Sequence, residues 1–102
     1  KMARQNNFYK INSSLNMTAG TATGATRSAV CPDNVTLVRI SSTGLVYVAA
    51  IAGQGATPTA TVAAGVQIDV SAPETFVISP GDAIAVISAS GTPIVNVTWL
   101  EG

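Results

Sequence analysis

Histidine is absent from the 102 residues, which removes the usual general base and the commonest transition-metal ligand together. Acyl transfer by serine needs a group that accepts the hydroxyl proton, and Lys1, Lys10 and isolated carboxylates are all that remain for it. A serine or cysteine hydrolase is therefore not expected. Paired acid and base chemistry of the glycosidase kind would have to draw on five carboxylates, Asp33, Asp69, Glu74, Asp82 and Glu101, each beside a turn or at an outward strand position. Asp33 and Asp82 belong to Pro-Asp-Asn and Pro-Gly-Asp turns, where a short carboxylate bonds nearby backbone amides for structural reasons.

The remaining candidates are as thin. Cys31 is the single cysteine, so an internal disulfide and a cysteine-based zinc site are excluded. A half-buried small apolar residue is the reading adopted for it, with a reactive thiol or an intermolecular bridge as the alternatives. Gly53-Gln54-Gly55 lacks the helix and the lysine that a phosphate-binding loop requires, and no calcium motif is present. Asn12-Ser13-Ser14, Asn16-Met17-Thr18, Asn34-Val35-Thr36 and Asn96-Val97-Thr98 match the N-glycosylation triplet, which a Thr-rich chain produces by chance. The expectation is a protein with no catalytic residue, no metal, no cofactor and no small-molecule substrate, which is not an enzyme.

Composition narrows the class. Five basic residues balance five acidic ones, and only 10% of the chain is charged, against about 25% in an average soluble domain. Apolar residues reach 47%, many of them alanine, and Thr, Ser and Gly dominate the rest. Such an exterior is poorly protected against association and suits a small β domain partly covered by neighbours. No apolar run approaches a membrane span, and the amino-terminal end does not read as a signal segment. The expectation is a soluble chain with no membrane partner.

The elements that would position any site are short strands. Residues 74–100, ETFVISPGDAIAVISASGTPIVNVTWL, hold three Val/Ile/aromatic runs cut by Pro80-Gly81-Asp82 and Ser90-Gly91-Thr92-Pro93, a pattern that predicts a three-stranded antiparallel meander. Upstream, Leu15, Met17 and Ala19 alternate with polar residues, as in a strand with one face inward. The Gly/Thr/Ala run that follows reads as a loop, a bulged edge strand or a linker. Residues 35–40 (VTLVRI) form a strand with Thr36, Val38 and Ile40 inward and Arg39 in water, and Ser41-Ser42-Thr43-Gly44 turns it into residues 45–51 (LVYVAAI), so that the two make a hairpin. Residues 52–59 (AGQGATPT) form a mobile surface loop. In VQIDV, Val66, Ile68 and Val70 face inward, and on the last strand Val95, Val97 and Trp99 share one side. Trp99 is read as a core residue, with an exposed stacking residue as the alternative.

Turn signals recur every 8 to 12 residues or so and helical periodicity is absent, so the fold class is all-β: an antiparallel β-sandwich, jelly-roll-like, as a single domain. Residues 15–102 form that domain and residues 1–14 an extended N-terminal arm. The stretch KMARQNNFYK at residues 1–10 holds three of the five positive charges and the aromatic pair Phe8 and Tyr9. It is either a frayed terminus or an arm that docks on a partner through Arg4, Phe8, Tyr9 and Lys10. Three charges neutralise few phosphates, so nucleic acid is not the expected partner.

Ser42-Thr43-Gly44, the VYV of residues 46–48, Glu74 and Phe76, the GDAIAVI of residues 81–87 and the final Val95-Asn96-Val97 together resemble a family of small β proteins encoded among the structural genes of tailed phages. The likeness runs from Val35 to the end. It implies a capsid decoration, or cement, protein that sits on the outer surface of the head as a homotrimer, stabilises the shell, binds the major capsid protein, and is made in the host cytoplasm. Two other readings stay open: a tail or head-fibre subunit, which the same sandwich serves, and a carbohydrate-binding module that stacks sugars on Trp99, Tyr47 or Tyr9.

Overall fold

Runs rich in β-branched residues, each ended by Pro, Gly or Asp, produce eight strands and no helix among the described residues, which are 9–20, 24–52, 60–61 and 64–101 of a computed structural model. They are β1 (Lys10–Thr18), β2 (Thr26–Arg27), β3 (Leu37–Ser42), β4 (Val46–Ile51), β5 (Val66–Ile68), β6 (Glu74–Val77), β7 (Ala83–Ile87) and β8 (Ile94–Glu101). They assemble into two four-stranded sheets, one in the order β1-β8-β3-β6 and the other β2-β7-β4-β5. All pairs between strands are antiparallel. This order, first strand beside last and third beside sixth, is that of an eight-stranded jelly roll, so the all-β sandwich class holds.

The connectivity differs from the local reading in two places. Strands β6, β7 and β8 do not form a meander, because β6 and β8 lie in the first sheet and β7 in the second. Nor do β3 and β4 form a hairpin: β3 pairs with β6 and β8, while β4 pairs with β5 and β7. Each intervening breaker carries the chain across the sandwich instead of back along the same sheet. The physical reason is burial. The side chains of Ala83, Ile84, Ala85, Val86 and Ile87 are all buried, and a strand apolar on both faces needs the opposite sheet on one side and cover on the other.

The core between the sheets contains Val38 and Ile40 of β3, Val46 and Val48 of β4, Ile84 and Val86 of β7, and Val95, Val97 and Trp99 of β8, with Leu15, Met17 and Phe76 packed at its margin. Arg39 is exposed as expected. Thr36 is exposed and Val35 fully buried, the reverse of the expected alternation, because the strand begins only at Leu37. In VQIDV, Ile68 alone is buried; Val66 and Val70 are 50% and 55% exposed, since β5 ends at Ile68 and lies at a sheet edge where the opposing layer no longer covers it.

Turns follow the breakers. Gly81 has φ of +90°, a backbone state that side chains with a Cβ rarely adopt; its N–H donates to Cys31 O at 2.9 Å, and Cys31 N–H donates to Asp82 O at 2.6 Å. Asn34 takes the left-handed conformation that its short amide tolerates, with φ of 71°. Two buried polar side chains stand in the described core, Ser28 and Ser88, and both are bonded. Ser28 Oγ donates to Ala29 O at 2.7 Å and accepts from Ile84 N–H at 2.9 Å; Ser88 Oγ donates to Ser90 O at 2.7 Å.

The arm boundary also moves. β1 begins at Lys10, opposite Glu101 of β8, so residues 10–14, assigned from sequence to the arm, are strand. Residues 1–8 lie outside the described residues, and with them Arg4, Phe8 and the body of the expected arm. The expected mobile loop at 52–59 likewise falls outside them, apart from Ala52.

Candidate interaction surfaces

Among the described residues there is no group of three or more His, Cys, Asp or Glu that could hold a metal ion. Asp33, Asp69 and Glu74 are exposed and Asp82 and Glu101 half-buried, at turns and strand ends. Glu101 accepts a hydrogen bond from Asn12 Nδ2 at 2.8 Å, and Asp69 one from Gln67 Nε2 at 3.0 Å. Cys31 is buried in the main core, more deeply than the half-buried position read from sequence. Burial, with a smaller contribution from the charge of Asp82, pushes its thiol pKa above the ordinary value of 9.0, which is the opposite of an activated nucleophile.

Trp99 is 2% exposed and packs in the main core, so it cannot serve as a stacking platform. Tyr47 is half-buried against the smaller apolar cluster beside Ile51 and Ala83. Tyr9, directly ahead of β1, is 40% exposed, and Lys10, the first residue of β1, is exposed. These two of the four expected partner-binding residues are on the surface at the edge of the first sheet.

What the fold does assemble is a face. On the outer side of the first sheet, register places side chains in rows across the strands: Ile11, Leu100, Leu37 and Val77 in one, then Ser14, Thr98, Arg39 and Thr75, then Asn16, Asn96 and Ser41. The first row is apolar and its two ends are open, Ile11 being 65% and Val77 84% exposed. The other rows are almost uncharged and bonded side chain to side chain. Asn96 Nδ2 donates to Ser14 Oγ and to Asn16 Oδ1, each at 2.9 Å, and Thr98 Oγ1 donates to Asn96 Oδ1 at 2.6 Å. A shallow groove lined by Asn16, Ser41, Ser42, Thr43, Ile94 and Asn96 runs along it.

A second opening lies between the sheets beside β6, lined by residues that include Val38, Ile40, Val48, Phe76, Ile78 and Ile84. Its lining is wholly apolar, so it has no side-chain group to orient a polar ligand. Sequence reasoning missed the cross-strand rows because each unites residues far apart in the chain, Asn16 with Asn96 and Ile11 with Leu100 among them. The outward alternation of Asn16 and Thr18, or of Asn96 and Thr98, was the available local signal.

No family model matches the chain, and no curated protein matches it in sequence. Among solved structures it is similar to a chain from the disulfide-linked pili formed by Bacillus endospore appendages, at 14% identity and a TM-score of 0.44, with 93% of this chain and 92% of that chain covered. Nothing about function passes between two chains at that distance.

Proposed function

We propose that this chain is a structural, non-enzymatic protein of a virion, which decorates and stabilises the outer surface of a tailed-phage capsid as a homotrimer bound to the major capsid protein. The observation that carries this reading is the outer face of the first sheet, an Asn/Ser/Thr-rich surface with Arg39 as its one charge among the rows, bordered by an apolar row with open ends. A flat, weakly charged face loses little on desolvation, because its amides and hydroxyls already bond one another, and its apolar border gains from contact. The residue inventory, with no histidine and no gathered carboxylates, leaves such a surface as the working part. The motif likeness adds support, since its segments coincide with β4, β6, β7 and β8.

In this reading residues 1–10, with Arg4, Phe8, Tyr9 and Lys10, bridge from the sandwich to the shell. An extended segment adds contact area to a neighbour at an entropic cost set by the residues it orders. The test is co-sedimentation of the purified chain with shells that lack it. The full chain is expected to travel with the shells, and a chain truncated before Lys10 to bind at least tenfold more weakly while keeping its thermal transition. Equal occupancy by the two would remove the arm from the account, and absence of binding by the full chain would remove the decoration role.

A further inference from the structure

A sheet has two edges and each must be managed, because a row of unpaired backbone N–H and C=O groups is a template for another strand. Three of the four edges in this sandwich carry the usual protections. β2 is two residues long and contains Arg27; β5 is three residues long and runs straight into Asp69; β6 is four residues long, follows Pro73 and opens with Glu74. The fourth edge, β1, is nine residues long. Its one irregularity is the bulge between Ile11 and Ser13, and beyond it the segment Ser13-Ser14-Leu15-Asn16-Met17-Thr18 has no charge, no proline and no glycine. Among the described residues, no strand lies on its open side.

A second observation concerns the side chains of that segment. Leu15 and Met17 point inward and pack against the main core, yet remain half-buried, because the strand at this margin of the opposite sheet, β2, is only two residues long. The core is thus open at an edge that no described strand pairs, where Thr18 O accepts a hydrogen bond from Thr26 Oγ1 at 2.8 Å and the backbone groups of Ser14 and Asn16 face outward.

We propose that β1 is a self-association edge, on which β1 of a second copy of this chain pairs antiparallel about a two-fold axis at Asn16. The pattern is self-complementary in that register. Residues directly opposite in an antiparallel pair share a face, so Leu15 meets Met17 of the other copy on the inward side, closing the open core margin from both directions. On the outward side Ser14 meets Thr18 and Asn16 meets Asn16, which extends the amide and hydroxyl rows of the outer face without a break. No like charges are brought together, since Lys10, the only charged residue of β1, lies beyond the paired segment. The two first sheets merge into one of eight strands, with both sandwiches on the same side of it. The contact is isologous, so it multiplies the number of chains by two whatever other contacts form.

The test is sedimentation equilibrium of the full chain over a concentration series, with two variants. Asn16→Lys sets two ammonium groups against each other at the axis, and Gln67→Lys makes the same change on the exposed edge strand β5. The expected result is an assembly with an even number of chains, whose mass falls by half in Asn16→Lys and is unchanged in Gln67→Lys, with the circular dichroism of all three alike. A monomer or an odd-numbered assembly for the unmodified chain would overturn the proposal, as would an equal effect, or no effect, of the two variants. Combined with the homotrimer of the decoration reading, this edge predicts six chains for the unmodified protein and three for Asn16→Lys; a trimer in both would remove this edge and leave that reading intact.

Discussion

At the scale of single residues, the decisive groups are polar ones that the fold had to satisfy. Ser28 sits under β7, where Ile84 N–H depends on its hydroxyl oxygen. Ser28→Ala removes that acceptor and strands a buried donor, so a loss of about 1–3 kcal/mol is expected in urea unfolding. Cys31 makes a second case. Its folded pKa lies above the ordinary value of 9.0, so above that pH the unfolded chain releases a proton that the folded chain retains. The resulting stability is fully present below the unfolded pKa and is lost as pH rises through the folded one. Unfolding midpoints are therefore expected to drop above about pH 9 by a component that Cys31→Ala abolishes, and an unchanged alkaline profile in that variant would contradict the burial account.

At the scale of elements, alternation and breakers made most strands legible in the sequence, whereas their partners were not. Val38 and Ile40 of β3, Leu15 and Met17 of β1, and Val95, Val97 and Trp99 of β8 face inward as their period of two requires. Pairing is another matter. A Pro-Gly-Asp turn reads the same whether the chain returns to the adjacent strand or crosses to the other sheet, so the predicted hairpin and meander both dissolved into jelly-roll crossovers. What distinguishes them is burial on both faces of β7, a property of the assembled layers. The outer polar rows were hidden for the same reason, as Asn16 and Asn96 become neighbours only when the first and last strands pair. Strand position should also govern local stability. Amide hydrogen exchange is expected to be slowest in β3, β4, β7 and β8, which have a strand on each side, and faster by at least tenfold in β5 and β6. Equal protection throughout would mean that the edges are covered in solution; slow exchange confined to β1 among the edges is the pattern that its self-pairing produces.

At the scale of the whole molecule, the account is one of surfaces. A 102-residue chain with 10% charged residues buries apolar side chains in two clusters and leaves an amide- and hydroxyl-rich face, an apolar row with open ends and a long edge strand. In the proposed role those features would recruit neighbours by area and backbone pairing. In the decoration reading such a chain works as part of a particle, on the outside of a shell. Cryo-electron microscopy of phage particles made with and without it tests that claim most directly. The predicted result is an eight-stranded sandwich resolved on the outer surface of the head in the first sample, at three-fold positions, and bare shell at the same sites in the second. Identical head surfaces in the two samples, or the sandwich found only on the tail, would contradict it.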